Sequence, residues 1–210
     1  VIAGGSYNGI DGGNSNTNST IGGGKGNCIK GTESFSIIAG GCENQIGDVS
    51  GACKGNFIGG GTGNRAVFGG NSSIVGGLNN LMVGGFCTGC SFIGGGEGNT
   101  NSSCLSFTGG GQNNCVDCCS AWAVLVGGRS NIMSGSSHSV IAGGYRNTSS
   151  VAYGSIGGGQ FNCMTCGWAA TIAGGESNEA YGAGSSVMGG SANFASGSAS
   201  SVIGGSQNIA

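Results

Sequence analysis

The stretch that decides the fold is Ser200-Ser201-Val202-Ile203-Gly204-Gly205-Ser206-Gln207-Asn208, near one end of the 210-residue chain. Its first five residues alternate with the period of a β-strand, so Ser200, Val202 and Gly204 lie on one face. The Gly pair then permits positive φ and Asn208 tolerates the left-handed region, so a sharp turn follows the strand. The stretch therefore predicts a short strand that ends in a tight turn.

The same pattern recurs along the whole chain. Gly-Gly-x-x-Asn occurs fourteen times, and successive Asn residues lie 15 to 17 positions apart from Asn99 onward but 8 to 20 apart before it. An aliphatic residue stands six positions before nearly every Asn, a register that a disordered linker would not keep. We predict a single repeat array over 1–210, with irregular coils at 1–98 and regular coils of 15–17 residues at 99–210. The array begins and ends within a repeat, so we expect a segment of a longer fibre.

Each repeat has the length of one coil of a β-solenoid. A second turn is marked by a Gly four residues after the Asn in several repeats, which gives two short strands and two turns in about 15 residues. The predicted fold class is all-β, a parallel β-solenoid or β-roll. Stacking such coils buries a column of aliphatic side chains and lets the turn amides bond to the coils on either side.

Two ladders of structural residues follow from this stacking. The predicted core ladder is Ile21, Ile38, Ile58, Ile74, Ile93, Leu125, Ile141, Ile156, Ile172, Val187 and Val202. The predicted turn ladder is Asn27, Asn44, Asn64, Asn80, Asn99, Asn114, Asn131, Asn147, Asn162, Asn178, Asn193 and Asn208.

Composition excludes several classes of protein. The chain has 52 Gly and no Pro, and Gly does not fall at every third position, which excludes collagen. So many Gly residues are also unsuited to helix interiors. Six scattered Lys and Arg residues give no basic patch for nucleic acid. No apolar run approaches the ~20 residues that a spanning helix needs, so we expect no membrane insertion.

A second face of the predicted strands is partly apolar. The residue just before the core position is large and apolar in Ile37, Phe57, Phe92, Phe107, Val124 and Val140. A thin solenoid has only one interior, so this outward column predicts contact with something else. The simplest partner is another copy of the chain, and we expect a homo-oligomer.

The repeat resembles a known family on two sets of residues. Ser139-Val140-Ile141-Ala142-Gly143-Gly144 and Ser185-Ser186-Val187-Met188-Gly189-Gly190 match its Ser-x-(Ile/Val)-x-Gly-Gly unit, and Asn193-Phe194-Ala195-Ser196-Gly197 matches its Asn-x-Ala-x-Gly. This unit is similar to the head repeat of trimeric autotransporter adhesins, a left-handed parallel β-roll that also occurs in phage and large-virus fibre proteins. The resemblance covers nearly the whole chain. It departs from the family in having Ile where the family has a small inner residue, and in its uneven early intervals.

The resemblance implies a location, an assembly and a role. It implies an intertwined or side-by-side homotrimer outside the cell, on a cell surface or a virion surface. There the chain would mediate adhesion or act as a rigid stalk, and a host-surface receptor or glycan would be its partner.

Eleven Cys residues are an unusual feature of such a fibre. Three Cys-x-x-Cys pairs, Cys87/Cys90, Cys115/Cys118 and Cys163/Cys166, are candidates for disulfides, within or between chains. Buried free thiols and a metal ion shared across a trimer axis are the alternatives. Pairs that lie several coils apart cannot share one tetrahedral zinc ion. Disulfides formed early would hamper export of an unfolded autotransporter, so the Cys content favours a virion fibre or another extracellular filament.

The sequence offers no recognisable catalytic constellation. His138 is the only His, and the eight acidic residues show no recurring spacing suited to acid/base chemistry. The glycine clusters lack the frame of a phosphate-binding loop. We therefore predict a protein that is not an enzyme and has no cofactor or metal site, a structural or attachment fibre. The alternatives are a self-assembling extracellular filament or sheath subunit, an ice-binding solenoid, for which the Thr residues are too dispersed, and a polysaccharide-cleaving solenoid.

The aromatic residues give a weaker signal. Trp122, Trp168, Tyr145, Tyr153 and Tyr181 are scattered in the sequence. We expect them to pack in the core or at an interface rather than to contact glycans. Any specialised surface is expected in the irregular coils at 44–99.

Overall fold

The computed structural model of the protein describes residues 1–11, 18–31, 34–47, 55–67, 70–83 and 89–210. They form two compact units, Val1–Leu105 and Ser106–Ala210. All regular structure over the described residues is extended, which confirms the all-β class. In this part of the chain no helix is long and apolar enough to span a bilayer.

The first unit is built from very short strands, each two or three residues long. Its described strands are β1 (Gly9–Ile10), β2 (Thr20–Ile21), β3 (Cys28–Ile29), β4 (Ile37–Ile38), β5 (Gln45–Ile46), β6 (Phe57–Ile58), β7 (Arg65–Val67), β8 (Ser73–Ile74), β9 (Leu81–Val83), β10 (Phe92–Ile93) and β11 (Thr100–Asn101). Odd-numbered strands pair in parallel with one another, and even-numbered strands form a second parallel sheet. Within the sheets like residues face each other, for example Ile38 and Ile58.

The second unit repeats this arrangement. Its strands are β12 (Phe107–Thr108), β13 (Cys115–Val116), β14 (Val124–Leu125), β15 (Ile132–Met133), β16 (Val140–Ile141), β17 (Thr148–Ser149), β18 (Ser155–Ile156), β19 (Cys163–Met164), β20 (Thr171–Ile172), β21 (Glu179–Ala180), β22 (Ser186–Val187), β23 (Phe194–Ala195) and β24 (Ser201–Val202). Again the odd and even strands form separate parallel sheets, and Ile156 lies opposite Ile172.

Each coil therefore has two strands and two turns. An even strand leads through the Gly-Gly-x-x-Asn turn (the first turn) into an odd strand, and a second turn returns the chain to the next even strand. Isolated parallel bridges in the first turn, such as Arg129 with Tyr145, add a third line of pairing between coils. This confirms the predicted parallel β-solenoid.

Two columns of side chains fill the interior. Every member of the predicted core ladder is fully buried, except Val202, which is 6% exposed. Burying each such side chain contributes about 1.5–3 kcal/mol. The odd strands supply a second inner column, which the repeat pattern does not reveal: Ile29, Ile46, Ala66, Met82, Val116, Met133, Met164, Ala180 and Ala195.

Coil length varies at one place only. β5 ends at Ile46 and β6 begins at Phe57, whereas β21 ends at Ala180 and β22 begins at Ser186. The extra residues of the long coils lie between an odd strand and the next even strand. Asn16 lies outside the described residues, and the Asn27 backbone amide donates directly to the side chain of Asn8 (2.9 Å). The two shortest sequence intervals therefore belong to a single coil.

The turn Asn residues form a hydrogen-bonded ladder in each unit. The Asn147 backbone amide donates to Oδ1 of Asn131 (2.9 Å), and Oδ1 of Asn147 accepts from the amide of Asn162 (3.0 Å). Nδ2 of Asn147 donates to the Gly143 carbonyl in its own coil and to the Gly159 carbonyl in the next, both at 3.0 Å. All twelve predicted Asn residues donate to the first Gly of their own turn.

The second Gly of each pair is fixed by the close approach of the next coil. Gly144 has φ of 92°, and a Cβ there would lie 2.1 Å from the Gly159 carbonyl oxygen and 2.5 Å from Nδ2 of Asn147. A Cβ on Gly143 would meet nothing within 4 Å, and Gly143 does not have positive φ. Only the second Gly is therefore required by this turn.

Two Gly to Ala substitutions test this asymmetry. Gly144→Ala is expected to lower the free energy of unfolding by at least about 2 kcal/mol, because the new Cβ meets backbone atoms and φ is positive. Gly143→Ala should change it by less than about 0.5 kcal/mol. Denaturant unfolding followed by circular dichroism measures both, and equal losses for the two variants would contradict the asymmetry.

Candidate ligand-binding surfaces

One column of exposed aromatic rings lies at the second turn of the second unit. Trp122, His138 and Tyr153 occupy the same position in successive coils, each with φ of 56–58°. The Trp122 and His138 ring centroids are 4.7 Å apart and those of His138 and Tyr153 are 5.0 Å apart. Both pairs are stacked with nearly parallel ring planes, inclined at 18° and 13°. Because this spacing matches the ~4.8 Å between paired strands, the coil repeat itself stacks the rings. We call these three residues the aromatic stack.

A second group lies at the first turn and combines aromatic rings with positive charge. Arg129 pairs with Tyr145 in a parallel bridge, and the amides of Arg146 and Phe161 donate to the carbonyls of Arg129 and Tyr145, both at 3.0 Å. These bonds place the four side chains on three successive coils. We call them the Arg–aromatic cluster.

The two arginines of the cluster share one ring. Cζ of Arg129 is 5.7 Å from the Tyr145 centroid, and Cζ of Arg146 is 5.1 Å from it and 5.9 Å from that of Phe161. Such distances favour cation–π attraction. The Tyr145 and Phe161 rings meet edge to face, 5.4 Å apart at 73°. The geometry concentrates two of the chain's six basic residues beside two aromatic rings.

For four of the aromatic side chains the structure excludes the core of the chain, which was one of the two places expected. Trp122 is 53% exposed and Tyr153 60% exposed, and Trp168 and Tyr181 are also exposed, so none of these four lies in the core of the chain. His138 is exposed and is the middle ring of the aromatic stack. One sequence signal could have revealed this stack: the spacing between Trp122, His138 and Tyr153 equals the coil length.

The cysteines are not paired as the Cys-x-x-Cys spacing allowed. Cys115 and Cys118 are free thiols, as are Cys163 and Cys166, so the disulfides within these pairs are not formed. Cys90 is also free, and Cys87 lies outside the described residues.

Strand geometry explains the lack of pairing. Cys163 is an outward residue of β19, opposite Thr148 and Glu179 of the neighbouring coils. Cys118 lies in the second turn, where its Sγ is 3.7 Å from that of Cys119. Each thiol thus faces its lateral or sequence neighbour rather than the Cys three residues away. The described residues contain no group of three or more His, Cys, Asp or Glu side chains that could hold a metal ion.

Half-buried thiols on the odd strands have raised pKa values. Burial raises the pKa of the Cys163 thiol, and the negative charge of Glu179 raises it further. Burial likewise raises the pKa of Cys115, with a contribution from Asp117. Both thiols are therefore protonated, and poorly nucleophilic, at neutral pH.

Comparison with known proteins gives no family assignment. The chain matches no family model, and no curated protein matches it significantly.

Removing the charge beside Cys163 should change its reactivity. In Glu179→Gln the pKa of Cys163 falls, so at pH 8 more thiolate is present and alkylation by iodoacetamide should be about twofold faster. Peptide mass spectrometry of timed samples measures the rate at Cys163. Glu176→Gln, a change in an exposed first-turn residue, is the control. An unchanged rate in Glu179→Gln, or an equal rise in the control, would contradict the assignment.

Proposed function

We propose that the chain is a segment of an extracellular attachment fibre, assembled as a homotrimer, which mediates adhesion or acts as a rigid stalk and is not an enzyme. The observation that carries this proposal is an exposed apolar column on the outer face of the even strands. It lies on a solenoid whose interior is already filled by its own two columns. An apolar face of this kind is typical of an interface.

The apolar column contains exposed side chains in both units of the chain. In the second unit Phe107 and Val126 are exposed, Val126 by 50%, and Val124 and Val140 are half-buried. In the first unit the same face carries the exposed Ile37 and Val75, with Phe57 and Phe92 half-buried. Beyond Val140 the residue before the core position is polar, in Ser155, Thr171 and Ser186. The residue after the core position is again apolar and exposed in Met188 and Ile203, so the apolar face resumes in the last coils.

The ladders support a mechanical role. Within each unit, every coil is joined to the next by backbone pairing at both strands, by the first-turn bridge and by the Asn side chains. Stretching a unit along its axis would break several buried hydrogen bonds per coil, each with a cost of about 1–3 kcal/mol when left unsatisfied. A stalk requires this kind of resistance.

The sequence resemblance supports the location and the assembly. Head repeats of trimeric autotransporter adhesins and virus fibre proteins are trimeric and lie on a cell or virion surface. By analogy, the partners of this chain are two further copies and a surface receptor or glycan. The Cys content favours a virion fibre or another extracellular filament.

Light scattering on the purified chain tests the assembly. We expect a mass near 60 kDa, three chains of 20.0 kDa, both with and without reductant. If the trimer is lost only when reductant is added, then disulfides between chains, rather than the apolar contact, hold it together. A 20.0 kDa monomer at micromolar concentration would contradict the trimer, and a polydisperse larger mass would favour the alternative of a self-assembling filament.

A matched pair of variants locates the interface. Val126→Lys places a charge in the apolar column and should convert the trimer into monomers, because an unpaired buried charge is costly. Thr148→Lys introduces the same charge on the outer face of the odd strands and should leave the trimer intact, with a mass near that of three chains. Circular dichroism checks that both variants stay folded. Dissociation of Thr148→Lys instead of Val126→Lys would overturn the assigned face.

A further inference from the structure

We infer that the Arg–aromatic cluster of Arg129, Tyr145, Arg146 and Phe161 is a binding site for an acidic sugar, a pyranose ring that carries a carboxylate. The inference names a ligand for the attachment role proposed above and rests on that proposal for its biological meaning. The site itself stands on the charges and rings of the first turn in three successive coils.

The charge at the site favours an anion. Two guanidinium groups lie against the single ring of Tyr145, at 5.7 Å for Arg129 and 5.1 Å for Arg146. Both positive charges attract an anion, so an anion bound beside this ring is attracted more strongly than by either charge alone. Over the described parts of the chain neither Arg forms an ion pair. Because guanidinium presents a planar fork of N–H donors, a carboxylate is the group that it binds in bidentate fashion.

The aromatic rings favour a ligand larger than a simple anion. Tyr145 is half-buried and Phe161 is 42% exposed, and their ring planes are inclined at 73° to each other. The apolar face of a sugar ring can pack against an exposed aromatic ring of this kind, while the carboxylate of the sugar reaches the guanidinium groups. Inorganic anions would gain nothing from Phe161. The combination of cations and aromatic surface therefore points to a ring with an attached carboxylate.

Neighbouring residues set the limits of the site. Gln160 lies in the coil after Tyr145 and pairs with it through a parallel bridge. Its side-chain amide can bond to the hydroxyl groups of a sugar. One coil further, Glu176 pairs with Gln160 and would repel a carboxylate, so the acid group is expected at the Arg129 side. By contrast, the aromatic stack has no cationic Lys or Arg in its column, and its rings cover one another's faces.

The expected affinity is modest. All contacts are at the surface, where ion pairs are weak and screened by salt, so a Kd on the order of 0.1–1 mM for a monosaccharide is expected. In a trimer, several copies of the site on one fibre would raise the avidity for a multivalent glycan.

NMR titration of the full ¹⁵N-labelled chain tests the inference with three probes: methyl glucuronide, methyl glucoside and acetate. We expect the glucuronide to shift signals of Arg129, Tyr145 and Phe161, and the neutral glucoside and acetate each to bind at least tenfold more weakly. Equal binding of the glucoside would overturn the need for a carboxylate. Equal binding of acetate would reduce the site to simple anion binding and overturn the sugar.

Variants separate the site from general surface charge. Arg146→Gln should weaken glucuronide binding at least fivefold, and Phe161→Ala should weaken glucuronide but not acetate binding. Arg65→Gln, an exposed Arg on β7, is the matched control and should bind as the unchanged chain does. Equal loss in Arg65→Gln would overturn the site. Light scattering tests the assembly independently of sugar binding. A trimer that does not bind the glucuronide refutes only this inference, and a monomer that does bind it refutes only the proposed trimer.

Discussion

The side-chain amide of the turn Asn is the interaction on which the rest of the structure depends. Each coil turns sharply at the Gly pair, and the partly buried carbonyl groups there need hydrogen-bond partners. Nδ2 of Asn147 supplies two of them, at Gly143 and Gly159, while its Oδ1 takes the amide of Asn162. One side chain thus satisfies polar groups in three places, which a hydrophobic residue could not do.

This bonding explains where the repeat is strict and where it is free. The spacing of six positions from the core residue to the Asn is constant, because the second Gly must approach the next coil and the Asn must reach both carbonyls. The side-chain hydrogen bonds of the second turn come from residues that differ from coil to coil, such as Asn56, Ser120 and Ser139. This turn therefore accepts extra residues, as between Ile46 and Phe57. It also accepts large side chains such as Trp122, and function can therefore vary there without loss of the fold.

The sequence predicted the fold and its inner ladder well, because strand alternation and the invariant Asn are local signals repeated many times. It did not reveal the second inner column, since Ile29, Ala66 and Met164 differ in size and hydropathy. The Arg–aromatic cluster was also missed, because its members lie on different coils and meet only through lateral stacking. Cys115 and Cys118 are three residues apart, but Cys115 lies on the outer face of β13 and Cys118 lies in the second turn beside Cys119.

Hydrogen exchange of the Asn side-chain NH₂ groups, followed by NMR, tests the central role of this amide most directly. Ladder residues such as Asn147 and Asn162 are fully buried and bonded twice through Nδ2, so their side-chain protons should exchange orders of magnitude more slowly than in a model peptide. Asn113, adjacent to the ladder in the first turn, should exchange rapidly. Rapid exchange of the ladder amides in the folded chain would contradict the account.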